Sequence, residues 1–69
     1  MSQKELEDPR MQILLIFLDN ALGSANEVET QLLISKNIGY ITEEIFNQLM
    51  VNLTGIQKQL TGLIASIRN

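Results

Sequence analysis

The 69-residue chain contains no cysteine and no histidine. The first absence excludes a disulfide staple and a thiolate metal site. The second removes the commonest metal ligand and the commonest general base near neutral pH. With no histidine, no serine has the partner a nucleophilic triad needs, and the Glu-x-x-His pairs of carboxylate-bridged bundle metals cannot form. Glu27, Glu43 and Glu44 fall off the apolar seam or in a capping turn, and Glu29 lies only at the seam's edge. Gly55 and Gly62 sit inside a helical pattern rather than between a strand and a helix, so there is no phosphate-cradling loop. The longest apolar run, residues 13–18, is six long, against roughly 20 for a helix that crosses a bilayer. The opening S-Q-K-E-L-E-D-P is acidic ahead of that run and does not read as a signal peptide. Asn52-Leu53-Thr54 matches the glycosylation acceptor pattern, by chance in a chain read this way. Positive charge is scarce as well: five basic against eight acidic residues give a net charge of −3 and a pI near 4.6. That balance argues against a nucleic-acid or anionic-membrane surface. The expectation is a cytoplasmic protein that is no enzyme, with no cofactor, no metal and no membrane contact.

What the chain does have is helix. Only one proline and three aromatic residues occur, and 45% of the residues are hydrophobic, a composition for a folded helical protein rather than a disordered one. Residues 1–69 make one domain, near the size at which a single core is marginal without help. Residues 1–7 are polar and read as frayed. Asp8 as N-cap and Pro9 at the first helical position start a helix over about 8–38. Gly39 suits the left-handed position that closes it, with Tyr40 next in line to fold onto Ile34. Thr42 then caps a second helix over about 43–68, with Glu43 and Glu44 at its positive end. Ile41 and Phe46 occupy the two positions of a hydrophobic staple. So short a turn, Gly39, Tyr40, Ile41 and Thr42, lays the helices antiparallel and side by side.

In the first helix Leu14, Leu18, Ala21, Ala25, Val28 and Leu32 recur at alternating spacings of 4 and 3, the heptad seam expected against the second. In the second, Ile45, Leu49, Leu53, Ile56, Leu60, Leu63 and Ile67 form one stripe, and Phe46, Met50 and Ile64 widen it beyond what a two-stranded seam needs. Residues 13–18 are apolar on every face, which one neighbouring helix cannot bury. Ile13, Ile16, Phe17, Phe46, Met50, Leu53 and Ile64 are therefore the expected interface between copies. Gly23, Ser24 and Ala25 sit mid-helix, either as a tolerated weakness or as a close crossing with a partner. The stripe Asn52, Gly55, Gln59, Gly62 and Ser66 likewise reads as an approach path for another helix or as a polar flank containing glycines. Val51 points outward.

The run E-V-E-T-Q-L-L-I followed by N-I-G-Y-I, within residues 26–41, resembles the four-helix bundle proteins encoded by intervening sequences in bacterial 23S ribosomal RNA genes. L-T-G-L-I-A-S-I, residues 60–67, is similar to that family's closing helix, and residues 17–27 more loosely to its third. The resemblance covers the second half of the family's pattern; its first two helices, with an arginine-bearing segment, have no counterpart. It implies a helical bundle, with the two further helices supplied by a second copy or by a separate chain. The fold expected is all-α, an antiparallel helical hairpin that self-associates into a bundle, acting as a structural or interaction protein. The alternative is a nucleic-acid-associated accessory protein like the branch that serves diversity-generating retroelements, which needs a basic face.

Overall fold

A computed structural model describes residues 7–68. Among the described residues there are two helices, α1 over Pro9–Asn37 and α2 over Glu43–Arg68, packed antiparallel as a hairpin. The frayed segment expected over residues 1–7 lies outside the described residues except for Glu7, which is exposed.

Local chemistry sets each helix end. Asp8 has an extended backbone, φ −67° and ψ 123°, and its carboxylate accepts from the Arg10 amide at 2.9 Å, meeting one of the orphan donors of the first turn. Pro9 at the first position has no amide to satisfy. The Arg10 guanidinium closes back on the same carboxylate, Nη2 to Oδ2 at 2.7 Å. At the other end Gly39 takes φ +84°. The Gly39 amide donates to the Lys36 carbonyl and the Tyr40 amide to the Ser35 carbonyl, the paired bonds of a Schellman close. The Thr42 hydroxyl accepts from the Ile45 amide at 3.1 Å and starts α2.

One detail of the corner differs from expectation. Tyr40 is 81% exposed and Ile34 is 52% exposed, so the ring does not fold back on Ile34. The residue turned inward is Ile41, half-buried, as is Phe46 on the first turn of α2. Lys36, in the last turn of α1, lays its Nζ over the Phe46 ring at 4.4 Å from the centroid and ties the two helices together there.

The seam runs in a different phase from the one expected, and the same slip occurs in both helices. On α1 the residues turned toward α2 are Met11, Leu15, Leu18, Leu22, Ala25 and Leu32, each buried or half-buried, whereas Leu14, Ala21 and Val28 are exposed. On α2 they are Phe46, Met50, Leu53, Leu60, Ile64 and Ile67, whereas Ile45, Leu49, Ile56 and Leu63 are exposed. The two phases share Leu18, Ala25 and Leu32 on α1 and Leu53, Leu60 and Ile67 on α2. The remaining positions differ: Leu15, Leu22 and Glu29 take the seam in place of Leu14, Ala21 and Val28, and Met50, Gln57 and Ile64 in place of Leu49, Ile56 and Leu63, a phase that brings Gln57 against Asn26 and Glu29. Phe46, Met50, Leu53 and Ile64, expected between copies, therefore sit inside the hairpin, with Leu53 only 8% and Ile64 only 7% exposed.

Midway the seam turns polar. Gln57 stands where an apolar residue is due and donates both amide hydrogens across to α1, to Asn26 Oδ1 and Glu29 Oε1, each at 3.0 Å. Satisfied on both sides, the amide costs little to seat at half burial. The product is a rod of 50 × 15 × 12 Å with a radius of gyration of 15.6 Å, where a compact domain of this length would have about 11 Å.

Candidate interaction face

A rod two helices thick buries little. Among the described residues only Ala25, Leu53, Ile64 and Ile67 are buried, while fourteen large hydrophobic side chains are exposed. Their placement follows from the seam. Asp19 comes one residue after the seam residue Leu18, and Arg68 one after Ile67; the two meet in an ion pair at 2.7 Å. Residues that follow these seam positions thus line the same edge of the hairpin on both helices. That edge is polar: Gln12, Asp19 and Asn26 on α1, Asn47, Thr54, Thr61 and Arg68 on α2, with Leu33 the apolar exception.

The opposite edge is made of residues that precede the alternate seam positions. On α1 these are Leu14, Ala21 and Val28, ahead of Leu15, Leu22 and Glu29. On α2 they are Leu49, Ile56 and Leu63, ahead of Met50, Gln57 and Ile64. All six are apolar. Leu14 is 38% exposed, Val28 42%, Leu49 41%, Ile56 50% and Leu63 47%. A hairpin with one polar edge and one continuous apolar edge presents a face of the kind soluble monomers avoid leaving in water. The seam phase expected from sequence had placed these residues inside. Gln57 and Glu29 are the signal that could have moved them out, since two polar residues facing each other across a seam make a hydrogen-bonded layer.

The ion pair also fixes how far the helices overlap. Arg68, at the end of α2, reaches Asp19, so the first turns of α1 lie around and beyond the end of α2. Ile13, Ile16 and Phe17 lie on these turns, 53%, 59% and 67% exposed.

Among the described residues no three acidic side chains gather as a metal ion would require. A groove along α2 lined by Asn47, Met50, Val51, Thr54, Gly55 and Lys58 is open and contains no acid–base pair. Of the four basic side chains described, Arg10 and Arg68 are paired with carboxylates and Lys36 covers a ring. Neither described helix is long and apolar enough to cross a membrane.

Compared with known proteins, residues 10–62 match the family model described as 23S rRNA-intervening sequence protein. No curated protein and no solved structure matches the chain.

Proposed function

The chain belongs to the 23S rRNA-intervening sequence protein family, and we propose that it works as a self-associating helical bundle, a structural or interaction protein rather than a catalyst. The observation that carries this reading is the apolar edge formed by Leu14, Val28, Leu49, Ile56 and Leu63. Full burial of such a side chain gains roughly 1.5–3 kcal/mol, of which about half remains to be gained at half exposure. Summed over two copies, that reaches the scale of the association cost, about 4–15 kcal/mol. Two hairpins meeting edge to edge make four helices around a shared core, so a second copy supplies the two helices a bundle of this kind needs. Ile13, Ile16 and Phe17, exposed near the start of α1, are further apolar surface available to a partner. In keeping with this reading, basic side chains engaged within the chain leave little for a nucleic acid to hold, and the setting we assign is the cytoplasm.

Ile56→Asp tests the proposal. A carboxylate at the centre of the apolar edge should lower the assembly's mass and its thermal midpoint together, because the hairpin draws stability from its partner. Thr61→Asp, on the polar edge, should change neither. If Ile56→Asp leaves the mass unaltered, the edge is not where copies meet. Salt-dependent binding of RNA or DNA by the wild-type chain would favour the accessory reading instead.

A further inference from the structure

The face of α1 turned away from α2, taken through the C-cap residue Ile38, carries a second stripe. Residues 13, 17, 20, 24, 27, 31, 34 and 38 recur at alternating spacings of 4 and 3, and all eight are exposed. Ile13 and Phe17 lie at one end, and Ile34 and Ile38 at the other, 53%, 67%, 52% and 58% exposed. Between them stand Asn20, Ser24, Glu27 and Gln31. The chemistry reads nearly the same from either end. Ile13 and Ile38 are equidistant from the Ala25–Asn26 peptide, as are Phe17 and Ile34, Asn20 and Gln31, and Ser24 and Glu27.

We propose that this outer face of α1 binds the same face of a second copy, antiparallel, about a two-fold axis at the Ala25–Asn26 level. In an isologous contact each residue meets the mate equidistant from the axis. Here that brings apolar against apolar in two layers at both ends, amide against amide further in, and a serine hydroxyl against a carboxylate at the centre. Slipping the pair by one heptad would set Ile13 against Gln31 and Phe17 against Glu27, burying apolar surface on polar groups. Parallel pairing would press Glu27 on Glu27 with no compensating cation. A uniformly apolar partner would leave four polar side chains unmatched. The four large apolar side chains offer about 400 Å² per copy, half of what a standard interface takes from each partner, and the polar middle adds the rest. The contact goes beyond the bundle proposed above because it uses a different face: a chain engaging both the apolar edge and this stripe builds assemblies larger than a pair of hairpins.

The absence of native cysteine makes the test direct. Asn20→Cys and Gln31→Cys chains, one carrying a mass tag, are mixed, equilibrated and oxidised, and the disulfides are identified by mass spectrometry. Both positions are exposed and polar, so the fold should tolerate them. The expected product is the mixed 20–31 disulfide, several-fold over its statistical share. Like positions stand about 16 Å apart along the axis in the antiparallel pair, beyond a disulfide's reach. Predominant 20–20 and 31–31 products mean parallel pairing, and a statistical mixture means random collision; either overturns the proposal. Phe17→Asp in the mixed pair should return the products to the statistical share, and persistence of the excess would also overturn it. Failure of the bundle reading shows separately, as an assembly mass indifferent to Ile56→Asp.

Discussion

Gly39 is where a single atom should matter most. Its φ of +84° is a backbone conformation that side-chain-bearing residues avoid, yet no heavy atom lies within 4 Å of where its Cβ would stand. The cost of Gly39→Ala is therefore all backbone, about 1 kcal/mol, and should appear as a lower midpoint in denaturant with an unchanged slope. Asp8 offers a second residue-level test. Hydrogen bonds from the Arg10 side chain and then its amide hold the carboxyl below its ordinary value. A carboxylate depressed on folding stabilises above its unfolded pKa, and that contribution is lost as pH falls through the depressed value. On acidification the first turn of α1 should fray while the hairpin stays folded, visible as loss of protection at the Arg10 and Met11 amides. Asp8→Asn, a cap without a titrating group, should show no such pH dependence. Asp8-Pro9, Gly39 and Thr42 are legible in sequence because a cap needs only its own turn. Tyr40 is not, since the direction of its ring depends on how the chain leaves the turn.

At the scale of the element, what could not be read was phase. Each helix carries three apolar columns side by side, and any two adjacent columns count as a heptad seam. On α1 the columns beginning at Met11 and Leu15 face α2, and the column beginning at Leu14 is left outside. Periodicity alone cannot rank those pairs; the phase adopted is the one that sets Gln57 within hydrogen-bond reach of Asn26 and Glu29. The outer face of α2 is open in the hairpin: a Cβ at Gly55 or Gly62 meets nothing within 4 Å. Gly55→Ala and Gly62→Ala should each therefore stabilise the protein by about 0.5–1 kcal/mol through helix propensity. A loss of stability at either position would show that another helix backbone packs there, the approach path that the small residues allow.

For the whole molecule, the central fact is a rod in which, among the described residues, buried side chains are far outnumbered by exposed apolar ones. The hairpin topology follows from a short turn and two long periodic segments, and so was legible. Which surface is left for a partner was not, because it depends on the phase the two helices settle into. A core of this size supplies little stability by itself, so folding and assembly should be one event. Sedimentation equilibrium over a range of concentrations, with helix content followed by circular dichroism on the same samples, tests this most directly. The expected result is a mass at micromolar concentration that is a multiple of 7.8 kDa, with mass and helicity falling together on dilution. A mass of 7.8 kDa at every concentration, with full helicity and a cooperative melt, would contradict it.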